Sequence, residues 1–191
     1  MAVVVALCVI FAALVKTRRK WNARMLASGA LCVALSFMLS YIKLFSLPMG
    51  GSLTLCSMLP IAAYACAFGP LYGFVAGLAF GMLQLIQDFY VIHWAQLLLD
   101  YFFAFACYGI AAYFPNKLTL GIAVAGLCRM LCSTLSGGIF FADSAVDAGW
   151  SNAWLYSLAY NGSTIGAETV LCVLVSLLPP VKKVLGLMKS E

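Results

Sequence analysis

A carboxylate and a phenol stand side by side, Asp100-Tyr101, in a stretch from 92 to 114 that carries no other charged residue. Two further polar-aromatic groups share that setting: Phe140-Phe141 with Ser133 and Ser136 upstream, and Tyr156 with Asn161 five residues on. Tyr90 precedes the first group. A charged side chain at the centre of a membrane helix costs roughly 2–4 kcal/mol, so a carboxylate there points to function. Asp100 can neutralise a cation or accept from an amino-heterocycle. Asn161 both donates and accepts, and Tyr156 adds a directional hydroxyl. Tyr90, Tyr101, Phe140 and Phe141 offer ring faces for stacking and cation–π contact. Together they describe a pocket for a small, flat, partly charged molecule.

The elements that must position these residues are membrane helices. Of 191 residues, 65% are hydrophobic and 9% charged, and the mean hydropathy is +1.05. Apolar runs of about 20 residues, each long enough to cross the hydrocarbon core, recur along the chain. A soluble catalytic or DNA-binding domain has no room. The expected fold is all-α: a polytopic six-helix bundle over residues 21–191. Its helices are expected near 24–45, 54–68, 71–87, 92–114, 118–141 and 153–178, the last stopped by Pro179-Pro180. Residues 1–20 form a separate apolar segment with a basic stop, Lys16 to Lys20, expected to be an uncleaved accessory helix.

The net charge of +5 is a topology signal. Lys16–Lys20, Arg24, Lys117, Lys182, Lys183 and Lys189 fall at one set of helix ends, and Asp88, Asp143 and Asp147 at the other. The basic set, with the C-terminus, is expected inside a plasma membrane. Helices 4 and 6 then enter from outside, which puts Asp100 about 12 Å deep at 1.5 Å per residue, in the same outer layer as Tyr156, Asn161 and Phe141. Arg129 and Glu168 lie deeper, on consecutive antiparallel helices. They are expected to form a buried ion pair, with Arg129 reaching Asp100 as the rival arrangement.

Small residues recur at helical spacing in two places, Gly73-Gly77-Gly81 and Ala30-Ala34. Such faces let membrane helices approach closely, either inside the bundle or against a partner. The eight cysteines all lie in apolar stretches without a C-x-x-C pair and are expected to pack as small hydrophobes. No triad, zinc motif or nucleotide-binding loop is present, so no catalysis and no resident cofactor is expected. A membrane enzyme acting on a lipid is the rival class, with only Asp100, Glu168 and His93 to serve it.

The stretches LSYIKLFSLPMGGSLTLCSMLPI (39–61), IQDFYVIHWAQLLLDYFFAF (86–105), RMLCSTLSGGIFF (129–141) and LYSLAYNGS (155–163) resemble the thiamine-specific substrate-binding (S) component of energy-coupling factor vitamin transporters. L-P-x-G-G-S, and Q-x-x-x-D-Y paired with Y-S-L-x-Y-N-G, carry the likeness over about residues 24–180. The resemblance implies a six-helix binding subunit that captures thiamine from outside. It implies docking, through Ala30 and Ala34, on a membrane coupling subunit driven by two cytoplasmic ATPases, which alone use ATP. It puts Asp100, Tyr101, Tyr90, Tyr156 and Asn161 on the ligand, with Gln96 of the Q-x-x-x-D-Y run. Ser133 and Phe141 stand where family members often carry His and Trp. An S component for a thiamine precursor or another vitamin is the alternative.

Overall fold

The computed structural model describes residues 21–189. The accessory helix expected over 1–20 lies outside the described residues. α1 (Ala23–Ser40) starts at Asn22, whose side chain accepts from the Met25 amide at 2.8 Å and so satisfies one free donor of the first turn. A short antiparallel hairpin follows, β1 (Lys43–Ser46) and β2 (Ser52–Thr54). Then come α2 (Leu59–Phe68), α3 (Pro70–Gln87), α4 (Trp94–Tyr113), α5 (Leu118–Phe140), the short α6 (Ala142–Asp147), α7 (Ala153–Ser176) and α8 (Pro179–Lys189). Five of these (α1, α3, α4, α5 and α7) are long and apolar enough to cross a membrane, and α2 is a shorter apolar helix. These six make the expected bundle.

α2 sits at the centre. Ile61 to Cys66 are all buried, which is why this segment is apolar all round and has no polar face. α1 covers it through Met25 and Gly29. The Tyr64 hydroxyl donates to Met25 O at 3.0 Å, and a Cβ at Gly29 would run into the Tyr64 ring. The glycine row of α3 faces α4. A Cβ at Gly77 would strike Phe105 O, and one at Gly81 Tyr101 O. Of the two uses open to that row, it serves internal packing, and it holds the Asp100 segment against α3. The Ala30 and Ala34 side of α1 is exposed, together with Leu31 and Leu35.

The two ends of the bundle differ in charge. Asn22, Arg24, Phe68 and Lys189 line one small cavity, and the Lys189 ammonium donates to Pro115 O in the α4–α5 loop. This end also carries Lys117, Lys182 and Lys183. The opposite end holds the hairpin, the 88–93 loop and the α5–α7 connection, with Asp88, Asp143, Asp147 and, among the described residues, a single lysine, Lys43.

Several boundaries depart from expectation. α1 stops at Ser40, not near residue 45. Its C-terminal continuation, Tyr41 to Thr54, carries two short apolar runs around Leu-Pro-Met-Gly-Gly, and this is hairpin chemistry: Gly50 takes φ +87° in the turn. α2 consequently starts at Leu59, not at residue 54. Pro179-Pro180 ends α7 but also opens α8, because proline lacks only an amide that the first turn of a helix leaves unbonded anyway. α4 is the most irregular span. It runs as one α-turn, a π-turn over Leu98–Phe103, and a 3-10 stretch over Cys107–Tyr113.

Candidate binding pocket

A cavity of about 170 Å³ opens among the hairpin, α4, α5 and α7. Its lining includes Tyr90, Gln96, Asp100, Tyr101, Ser133, Phe141, Tyr156 and Asn161; Phe140, also expected to offer a ring face, is not in the lining and stacks on His93 instead. Arg129 and Glu168 line it too.

Asp100 lies inside the π-turn of α4. Such turns add one residue to the helix and re-aim the side chains around it, and they recur at functional sites. Two donors fall on the same carboxylate oxygen: Gln96 Nε2 at 2.9 Å and Ser136 Oγ at 2.8 Å. Ser133 lines the cavity one helical turn before Ser136. Gln96 is itself buried, and its amide donates to Tyr90 O at 3.3 Å and accepts from the Ile92 amide at 3.4 Å. It therefore ties the 90–92 loop to the carboxylate. Tyr101 turns away from that oxygen and donates to Asp88 O at 2.7 Å. The Tyr90 and Phe141 rings stack nearly parallel with centroids 5.9 Å apart, making an aromatic wall at the mouth.

α7 carries the opposite wall and has its own π-turn, Gly162–Gly166, directly after Asn161. Asn161 Nδ2 donates to Ser157 O at 2.9 Å, which fixes the amide's orientation. Ser157 in turn donates to Thr134 O on α5 at 2.9 Å. Tyr156 packs between Trp150 and Tyr160. Tyr160 bridges to the hairpin: its hydroxyl accepts from the Gly51 amide at 2.8 Å and donates to Pro48 O. A Cβ at residue 51 would overlap the tip of the Tyr160 side chain, so any larger residue would displace that ring and its bond to the hairpin. Lys43 closes the hairpin's other side with a two-pronged salt bridge to Asp88, at 2.7 and 2.9 Å. That pair is partly exposed and contributes little, about 0–1 kcal/mol.

Arg129 and Glu168 meet at 3.9 Å, too far for a close hydrogen-bonded pair. The main partners of each lie elsewhere. Glu168 Oε1 accepts from Thr54 Oγ1, from Ser57 Oγ at 2.7 Å and from the Ser57 amide at 2.9 Å. Arg129 donates to the Tyr108 hydroxyl and lies 4.4 Å over the Phe105 ring. The expected helix-to-helix clamp is thus a long contact on the pocket floor. The stronger bonds of Glu168 hold the foot of the hairpin. Between Thr54 and Ser57, Cys56 adopts φ +56°, a conformation uncommon for a residue with a Cβ. It turns both hydroxyls onto the one carboxylate oxygen.

His93 stays at the rim. Its imidazole caps α4 by accepting from the Ala95 amide at 3.1 Å and stacks on Phe140 at 5.0 Å. Gly51, Thr54, Ser57, Gln84, Ser157 and Tyr160 also line the pocket; Gly51 belongs to the L-P-x-G-G-S motif and Ser157 and Tyr160 to Y-S-L-x-Y-N-G, but sequence reasoning assigns none of the six a ligand role. Thr54, Ser57 and Gly51 come from the hairpin, and Tyr160 is one helical turn from Tyr156, a spacing that could have flagged it. Because Tyr160 holds the hairpin tip, Tyr160→Phe is expected to speed hydrogen exchange at the Gly51 amide about fivefold, the loss of roughly 1 kcal/mol of hydrogen bonding. Unchanged exchange at Gly51 would show that the tip is held by other contacts.

Among the described residues, six apolar helices, a polar pocket at one end and a two-stranded flap beside it define a multi-pass membrane protein with a site for a small molecule. A family model described as thiamine transporter protein matches residues 26–186, and the chain belongs to that family. Thiamine transporter ThiT of Bacillus subtilis (strain 168) is 31% identical over 147 residues, covering 68% of this chain and 75% of the relative. A solved structure of ThiT from Listeria monocytogenes superposes with a TM-score of 0.74 at 23% identity, over 86% of this chain and 98% of that one. At that identity the likeness speaks to the fold.

Proposed function

We propose that the protein is the thiamine-binding subunit of an importer and that the pocket around Asp100 is its thiamine site. The observation that carries this is the pocket's charge and hydrogen-bond inventory. Glu168 has three donors and a guanidinium nearby. Among the described residues, the donors to Asp100 are neutral, Gln96 and Ser136. The site therefore has capacity for one positive charge. Thiamine brings one permanent cation, on its thiazolium, and a flat aminopyrimidine that donates and accepts. Asp100 serves the cation or the amino group, Asn161 and Tyr156 give direction, and Tyr90, Phe141 and Tyr101 supply ring faces. Gln96 and Ser136 hold the carboxylate in place, and Ser133 lines the cavity beside them.

The test is titration of purified protein with thiamine, its pyrimidine precursor and riboflavin. Thiamine is expected to bind tightest. Preference for the precursor would assign the chain to a different vitamin, and Ser133 and Phe141 would be the first positions to exchange.

Import against a gradient needs an energy source. We infer that the chain works as the S component of an energy-coupling factor transporter, with a membrane coupling subunit and two ATPases that use ATP. Ala30 and Ala34 form the docking face: both are exposed and small, on the side of α1 away from α2. The basic end of the bundle, with the C-terminus, faces the cytoplasm and the pocket faces outside. Ala34→Trp is expected to leave the thiamine dissociation constant within twofold while cutting uptake at least fivefold in cells that carry the coupling subunits. Loss of binding and uptake together would assign the alanines to internal packing.

A further inference from the structure

α8 presents three different faces. Val181, Leu185 and Met188 are partly buried and pack on the main core. Val184 and Leu187 are 54% and 59% exposed, about a quarter-turn around the helix at 100° per residue. Lys182, Lys183 and Lys189 take the remaining arc and are exposed. Only Leu177 and Leu178 separate α8 from the end of the span Ala153–Ser176, and both are exposed leucines. The helix therefore starts at the boundary of the hydrocarbon.

An exposed apolar row does not belong in water, and three ammonium groups do not belong in hydrocarbon. A helix lying in the plane of the interface satisfies both. Its apolar row dips into the acyl region, and the lysine stems run up to the headgroups. The surrounding charge selects the lipid. Arg24 and Lys117 lie at the same end, and among the described residues no Asp or Glu does. Lys189 is anchored to Pro115 O, two residues from Lys117, and shares a small cavity with Arg24, so these basic groups gather at the end where α8 lies. We propose that α8 and this patch are a binding surface for the anionic headgroup layer of the bilayer. Each lysine close to such a surface adds attraction, and Val184 with Leu187 sets the depth.

The test is hydrogen exchange of α8 amides in nanodiscs of phosphatidylcholine alone and of an equimolar mixture with phosphatidylglycerol. In the wild-type protein the anionic lipid is expected to slow exchange in α8 about fivefold, with α3 and α5 unchanged. Lys182→Glu/Lys183→Glu should abolish the lipid difference and leave the ligand dissociation constant as it was. Val184→Ser/Leu187→Ser should raise exchange in both lipids. Equal wild-type exchange in the two compositions overturns the proposal. So does slowing that appears only when the other proteins of the host membrane are added, which would make the face a protein-docking surface.

Discussion

Asp100→Asn is expected to weaken thiamine binding at least tenfold, about 1.4 kcal/mol. The substitution keeps the shape of the side chain and removes its charge. Gln96 Nε2 and Ser136 Oγ both donate to one carboxylate oxygen, so the amide carbonyl must take that place. The amide nitrogen then points its hydrogens where the ligand would have found an acceptor. A cation loses its counter-ion, and an amino group meets a second donor. Two charges 4 Å apart interact by about 4 kcal/mol at an effective dielectric constant of 20, so tenfold is the lower edge of the effect. The uncharged pyrimidine precursor should lose less than thiamine does, because it forfeits only the hydrogen bond. Calorimetric titration of both ligands on both proteins measures this. A thiamine dissociation constant that moves less than threefold would remove Asp100 as the cation's partner.

Asp100, Tyr156 and Asn161 were legible because polar groups are scarce in these spans. A carboxylate in a stretch without other charge stands out, and helix direction alone brings it level with residues 60 positions away. The bundle was legible for the same reason: runs of apolar residues set the number of spans. The hairpin was not. Tyr41 to Phe45 continue the apolar character of α1, and an apolar run of that length fits helix or strand equally well. With the hairpin went Gly51, Thr54 and Ser57, whose place in the pocket depends on a turn that folds back over the bundle. The π-turns at Asp100 and after Asn161 have no composition of their own. They are set by which carbonyl each amide finds, through tertiary packing such as that of the α3 glycines on Tyr101 O and Phe105 O. Arg129 and Glu168 show the limit of pairing by depth. Opposite charge on neighbouring helices foretold proximity, but the competing donors on Thr54 and Ser57 and the Phe105 ring face were invisible.

That competition gives the second large effect. Glu168→Leu is expected to destabilise the protein by about 3–5 kcal/mol, because three buried donors lose their acceptor at about 1–3 kcal/mol each. It orphans the Thr54 and Ser57 hydroxyls and the Ser57 amide, removes the nearest carboxylate from Arg129, and frees a turn that holds Cys56 at φ +56°. Such a backbone costs on the order of 1–3 kcal/mol and persists only where its surroundings hold it. Arg129→Leu should cost much less, because Glu168 keeps its three donors. The double substitution should fall between the two singles: it relieves the orphaned guanidinium but not the orphaned hairpin foot. Melting temperatures of the three variants in one detergent give the order directly. Hydrogen exchange at Ser57 should rise in Glu168→Leu and in the double variant, and stay near wild type in Arg129→Leu. If Arg129→Leu is as damaging as Glu168→Leu and the double variant recovers most of the loss, the ion pair is the dominant contact after all, and the carboxylate serves α5 more than the hairpin.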